Sequence, residues 1–150
     1  MRLVVQRVSR AEVRSAGRIV GKIGRGLLVL IGAERGDDGV SAEEAARKIA
    51  GLRIFEDAQE KMNLSLADVG GGVLVVSQFT LAADLSRGRR PGFAKALPAS
   101  EARPIYEHFA KTLEILGLPV ATGAFGEKME VELVNDGPAT FILEIESLNH

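Results

Sequence analysis

Ser77-Gln78-Phe79-Thr80 places two hydroxyls, a carboxamide and an aromatic ring at four consecutive positions, directly after the apolar run Val73-Leu74-Val75-Val76. Side chains of these types bind and orient a polar ligand, and a hydroxyl is one kind of nucleophile for acyl chemistry. The end of a strand presents such groups rigidly, because the apolar run is held by the core. An ordinary turn fits the same residues, with Ser77 and Thr80 capping it, Gln78 in solvent and Phe79 packed. A second polar cluster, Asn135-Asp136-Gly137-Pro138-Ala139-Thr140, also has two readings. In isolation it is most simply a chain reversal between strands. With a cis Gly137-Pro138 bond it is instead a backbone recognition device, although the isomer is not readable from sequence.

Absences narrow the chemistry further. There is no cysteine, so thiol catalysis and disulfide scaffolds are excluded. No phosphate-binding glycine loop, dinucleotide fingerprint or Gly-x-Ser-x-Gly elbow occurs. The two histidines do not suggest a relay: His108 reads as a packing or edge residue of a helix and His150 is terminal. Asp37-Asp38, Glu43-Glu44 and Glu56-Asp57 read as solvated acids, because none has the spacing of a calcium loop. No metal and no cofactor is expected. Arg87, Arg89, Arg90 and Lys95 form a basic segment among glycines and prolines, suited either to an exposed loop or to phosphate contact. The net charge is -1, yet the first 35 residues carry eight basic and two acidic side chains, a local asymmetry of the same two meanings.

The elements that must position these groups follow from hydrophobic period. Leu3–Val8, Ala11–Ser15 and Ile19–Ile23 alternate as strands, with a turn at Gly17. Leu27–Ile31 and Val73–Val76 are continuous apolar runs, as expected of strands covered on both faces. Ser41 and Glu44 have capping-box spacing, which predicts a helix over Ala42–Leu52. Asp68–Gly72 reads as a polar approach to the next strand, and Leu85–Ser100 mainly as a loop. Ile105, Phe109, Leu113 and Leu116 predict a second helix over Pro104–Leu116, since proline is easiest at the first helical position. Met129, Val131 and Leu133, then Phe141, Leu143 and Ile145, predict two strands flanking the second polar cluster. The expectation is one α+β domain over residues 1–150, a mainly antiparallel or mixed, barrel-like sheet with two principal helices. Without a signal-like or membrane-length apolar segment, a cytoplasmic protein away from membranes is expected.

Taken together, Ser77-Gln78-Phe79-Thr80-Leu81 and Asn135-Asp136-Gly137-Pro138-Ala139-Thr140 resemble the two characteristic motifs of the D-aminoacyl-tRNA deacylase family, of the D-tyrosyl-tRNA deacylase kind. The similarity runs along the chain through Val5-Gln6-Arg7-Val8, Leu52-Arg53-Ile54-Phe55-Glu56-Asp57, Lys61-Met62-Asn63, Gly88-Arg89-Arg90-Pro91 and Phe125-Gly126 to Met129. The resemblance implies a deacylase fold and a homodimer that hydrolyses the ester of mischarged tRNA bearing a D-amino acid or glycine. It implies that Ser77, Gln78 and Thr80 serve catalysis and Phe79, Phe125 and Met129 bind substrate. Gly137 and Pro138 would reach in from the second subunit, with Asn135 and Thr140 supporting them. Arg87, Arg89 and Arg90 would contact tRNA. Thr80 is either a nucleophile or a positioning group beside an attack assisted by the RNA 2'-hydroxyl; the second is favoured, because no neighbouring base in the sequence explains activation of Thr80. The chain departs from the family pattern at Ala82, Gly92 and Glu127.

Overall fold

The computed structural model describes residues 1–146. Its sheet is organised around one long strand, β1 (Arg2–Ser15). Two shorter strands, β2 (Arg18–Ile23) and β3 (Gly26–Gly32), follow one another along one edge of β1, both antiparallel to it. The last strand, β8 (Glu130–Glu144), lies antiparallel along the other edge, and β6 (Gly72–Ser77) and β7 (Val120–Thr122) extend from β3 in parallel. The sheet then curls until β7 nears β2. A Cβ on Gly21 would lie 2.4 Å from the Thr122 carbonyl oxygen, so this near-closure requires a residue without a side chain. The result is a nearly closed, mixed sheet with β3 and β6 at its centre.

Two helices cover its outer face, α1 (Gly39–Gly51) and α3 (Ala99–Ile115), while a small hairpin of β4 (Phe55–Glu56) and β5 (Met62–Leu64) and a single turn of helix, α2 (Leu66–Val69), link β3 to β6. Leu27, Val29, Ile31, Val73 and Val75 meet Ala45, Ile49, Phe109 and Leu113 of the helices. Leu28, Leu74 and Val76 point the opposite way, into the curl, against Val8, Val13 and the half-buried Val131 and Leu133. Burial on both faces is why β3 and β6 read as unbroken apolar runs.

Several boundaries differ from expectation for local reasons. Leu3–Val8 and Ala11–Ser15 belong to a single strand, whose pairing with β8 shifts register between Gln6 and Arg10. The cap of α1 lies one turn earlier than Ser41: Asp38 accepts the amides of Val40 and Ser41, with Ser41 closing the box as its third residue. Helix α3 starts at Ala99 and contains Pro104. The chain just before it is pinned by the Leu97 amide on Ala33 and an Ala96 bridge to Glu34, so the helix starts at once. The carbonyl that Pro104 leaves without a helical donor belongs to the exposed Ser100. The largest correction concerns Asn135–Thr140, which does not reverse the chain. Leu133 pairs with Ala11 and Phe141 with Val5, so β8 continues past the cluster in one direction and the polar residues form an irregularity opposite the β1 register shift.

The remaining charged pairs are absorbed structurally. Asp37 accepts the Met1 amino group at 2.8 Å, and half-exposed His108 bridges to Glu43 at 2.9 Å, tying α3 to α1. His150 lies outside the described residues. Among the described residues no cluster of three His, Cys, Asp or Glu side chains is placed to hold a metal ion, and no helix is long and apolar enough to cross a membrane.

Candidate functional site

The end of β6 opens into a cavity of about 670 Å³. Ser77 is the last residue of the strand, paired with Ile31 of β3, and the Gln78 amide donates to the Ile31 carbonyl at 2.8 Å. The chain then turns through a short 3-10 helix, Phe79–Ala82. The amides of Leu81 and Ala83 bond back to the carbonyls of Gln78 and Thr80, whereas the Phe79 and Thr80 amides have no partner among the described residues. Ser77, Gln78 and Phe79 line the cavity. Thr80 sits beside it, its hydroxyl accepting a hydrogen bond from the Gln78 carboxamide. That is the only bond of the Thr80 hydroxyl among the described residues; no imidazole or carboxylate reaches it.

The opposite wall comes from the turn between β7 and β8. Phe125 and Met129 both line the cavity. The Ala124 amide donates to the Met129 sulfur at 3.3 Å, which locks that side chain across the turn. Behind Phe125 stand Tyr106, with ring centroids 5.5 Å apart, and the Arg103 guanidinium, 5.6 Å from its ring. Burial raises the Tyr106 pKa, so the phenol stays protonated and donates to the Val75 carbonyl at 3.2 Å. The aromatic wall is thereby fastened to the strand that carries Ser77. Glu127, one of the departures from the family pattern, lines the cavity too, and the Ser15 hydroxyl donates to its carboxylate at 3.0 Å.

Gly137 and Pro138 are elsewhere, as are Asn135 and Thr140: none of the four lines the cavity. They sit at the irregularity of β8, where Gly137 and Pro138 are exposed and joined by a cis peptide. Asn135 holds the segment together, its Oδ1 accepting the Ala139 amide at 2.8 Å and its Nδ2 donating to Thr140 Oγ1 at 3.0 Å. From beneath, Arg7, only 3% exposed, donates from Nε to the Asp136 carbonyl at 2.9 Å and from Nη1 to the Ile54 carbonyl at 2.7 Å. Gly137 has φ +142°, and a Cβ there would stand 3.0 Å from Arg7 Nη2, so both conformation and packing call for glycine.

Arg87, Arg89 and Arg90 are exposed on a loop closed at its stem by reciprocal amide bonds between Asp84 and Gly92, and none forms an ion pair among the described residues. Hydrogen bonds from the Ser86 side chain and amide hold the Asp84 carboxyl below its ordinary pKa. The loop returns through Phe93, whose ring lies 5.2 Å from that of Phe79 on the rim of the cavity.

Sequence reasoning gave no role to Phe93, to Ala99 and Ala102, which form the α3 side of the cavity, or to Arg7. Phe93 follows the basic segment directly, and the alanines leave room where helix and cavity meet. Arg7 lies in the Val5-Gln6-Arg7-Val8 stretch that carries the resemblance, but its type gives no role, since it is one of several arginines on the first two strands.

A strand-end pocket in a curled mixed sheet, walled by a helix and a turn and lined mostly by apolar side chains with a few polar groups, has the form of a small-ligand site. The family described as D-Tyr-tRNA(Tyr) deacylase matches residues 4–144, and the chain belongs to that family. A relative in Thermomicrobium roseum, named D-aminoacyl-tRNA deacylase, is 57% identical over 96% of this chain and 94% of its own length. One of the same name in Symbiobacterium thermophilum is 54% identical over 97% of both. Among solved structures, one titled c-Myc DNA Unwinding Element Binding Protein superimposes with a TM-score of 0.90, 40% identity and coverage of 96% of this chain and 98% of that one. Another, titled as a probable eukaryotic D-amino acid tRNA deacylase, shares the fold at TM-score 0.81 and 17% identity, covering 95% and 97% of the two chains.

Proposed function

We propose that this chain hydrolyses the ester of D-aminoacyl-tRNA in the cavity at the end of β6, and that a second copy of the chain completes the site with Gly137 and Pro138. Family membership supports the hydrolase activity. The single observation that carries the rest is spatial: one motif lines an open cavity while the other, equally specific, stands exposed outside it. Two copies related by a twofold axis bring each exposed segment to the other's cavity. This reading makes a homodimer the working unit, placed in the cytoplasm with its tRNA substrate.

Water attacks the ester carbonyl, the terminal ribose oxygen departs and takes up a proton, and free amino acid and intact tRNA result. The Phe79 and Thr80 amides are suited to the developing oxyanion because they are fixed and otherwise unpartnered. Thr80, held by Gln78 and without a base beside it, positions the substrate, and the 2'-hydroxyl of the terminal adenosine assists the attack. Phe79, Phe125 and Met129 bind the nucleoside and acyl group, and Arg87, Arg89 and Arg90 engage phosphates. Chirality is sorted by blocking the space that an L side chain needs. A discrimination of about 1,000-fold corresponds to about 4 kcal/mol, within reach of a clash plus a lost buried contact. Glycine has hydrogen in both positions, so glycyl-tRNA is accepted.

Matched D-, L- and glycyl-tRNAs, each also made with a terminal 2'-deoxyadenosine, test this reading. Hydrolysis of the D and glycyl esters and loss of rate without the 2'-hydroxyl are expected. A covalent adduct on Thr80 with full 2'-deoxy activity overturns the mechanism, and full activity in a species that sediments as a monomer overturns the shared site. The relative titled as a DNA-element-binding protein, together with the exposed arginines, favours one other reading, binding of nucleic acid without turnover. Tight capture of D-aminoacyl-tRNA with no released amino acid would establish it.

A further inference from the structure

We infer that the β4–β5 hairpin, acting through Glu56, positions the Gly137–Pro138 segment and so sets stereoselectivity; this rests on the reading of that segment as the partner site's filter. A two-stranded hairpin this short does not hold itself together in water. Here it is held at both ends. Phe55 and Ile54 are buried in the core. At the tip, Asp57 accepts the Gln59 amide at 2.9 Å, the Lys61 amide at 3.1 Å and the Asn63 side chain at 3.2 Å, and Arg53 donates to the Asn63 carbonyl at 2.8 Å. So much order on an exposed hairpin calls for something that the hairpin must present.

What it presents converges on one buried cation. The Ile54 carbonyl lies 2.7 Å from Arg7 Nη1, and Glu56 Oε1 lies 3.6 Å from Nη2. The other side of the same guanidinium serves the segment: Nε bonds the Asp136 carbonyl at 2.9 Å and faces the Asp136 carboxylate at 3.7 Å. Nη2, the nitrogen paired with Glu56, is also the atom lying 3.0 Å from the Cβ position of Gly137. A guanidinium is planar and rigid, so fixing the edge toward the hairpin fixes the edge toward the segment. Glu56 is therefore a positioning residue. Without its charge Asp136 alone faces the cation, and the guanidinium turns toward it, carrying the Asp136–Gly137 peptide along.

The test compares Glu56→Gln, Glu56→Asp and Asn63→Ala in the full-length protein. Two quantities are read: hydrolysis of matched D- and L-tyrosyl-tRNA, and amide exchange at Ala139 against Val75 of β6. For Glu56→Gln the expected result is a fall of about tenfold in kcat on the D substrate with KM changed by less than about twofold, a D/L ratio lowered about tenfold, and faster exchange at Ala139 but not at Val75. Asn63→Ala, which touches neither Arg7 nor the segment, shifts the same quantities in the same direction by less, and Glu56→Asp restores part of the ratio. An unchanged D/L ratio together with unchanged Ala139 exchange in Glu56→Gln overturns the inference. So does an equal loss on both substrates with Val75 exchanging faster, which marks a purely structural role. If the wild-type protein hydrolyses no D-aminoacyl-tRNA, the proposed function fails separately, and Ala139 exchange alone decides whether Glu56 holds the segment.

Discussion

The segments 77–80 and 135–140 are placed by different physics. Ser77 inherits its position from β6, whose Val73, Leu74 and Val75 are fully buried between two packed layers. Among the described residues Gly137 and Pro138 stand on a strand paired with β1 alone, and they hold their place through polar ties to Arg7 and Asn135. Apolar burial is collective and forgiving of direction. Hydrogen bonds are few and directional, so one lost partner has a local and specific result. A wall that must only exist can rest on the first kind of support, whereas a segment that, on the proposed reading, sorts stereoisomers to a fraction of an ångström needs the second.

The sharpest way to break this contrast is Arg7→Ala. It strips donors from the carbonyls of Ile54 and Asp136 and should cost about 4 kcal/mol, together with most of the D/L discrimination. Denaturant unfolding and paired D/L assays measure the two effects, and retained discrimination would mean that the segment is placed by something else. Leu74→Ala should cost about 3 kcal/mol by opening a cavity under the first segment, while the folded fraction keeps its D/L ratio. A changed ratio there would erase the distinction between the two supports. Asn135→Ala removes the brace within the second segment, for about 1 kcal/mol of stability and a measurable loss of selectivity at full binding.

Smaller effects sharpen the same comparison. Arg89→Ala, on neither segment, should weaken tRNA binding alike for D and L forms and lower the salt dependence of log Kd by about one. Acid separates the two supports as well. Hydrogen bonds from the Lys61 and Gln59 amides and the Asn63 side chain lower the Asp57 pKa from its ordinary 3.8. A carboxyl depressed in the fold stabilises it fully above the ordinary value and ceases to do so as pH falls through the depressed one. Exchange protection of the hairpin tip should therefore hold down to about pH 4 and weaken below it, before that of β6. Simultaneous loss would contradict the assignment.

Much of this was legible in the residues themselves. The doubly covered strands announced themselves in Leu27–Ile31 and Val73–Val76, because burial on two faces leaves no polar positions. The cavity wall of Ser77, Gln78, Phe79, Phe125 and Met129 followed from resemblance and is found together in space. Asn135–Thr140 misled because turns and strand irregularities draw on the same residues, and only the pairing partner tells them apart. The start of α3 was hidden for a related reason: the pinning of Ala96 and Leu97 is long-range, while the proline preference is local. The role of Arg7 could not be read from its type, although its stretch Val5-Gln6-Arg7-Val8 carried the resemblance, since what distinguishes it is burial beneath a segment 129 positions away.

The pairing of β1 with β8 has a consequence for the order of events during synthesis. Arg2 faces Glu144 across that ladder, so β1 is made well before β8 and waits for it before its second edge is covered. Contacts this distant in sequence are slow to close. The strand-end pocket draws on Met129 and on Val131, which stands at the start of β8 opposite Val13, so its far wall closes as the first pairs of that ladder form. Gly137 and Pro138 lie further along the same ladder and take their place against Arg7 only when the pairing extends to Asn135 and beyond, so the cavity wall and the second segment depend on one docking event. On the proposed reading of a site shared by two chains, competent pairs form only after β8 has zipped along β1, which makes that docking the checkpoint between folding and assembly.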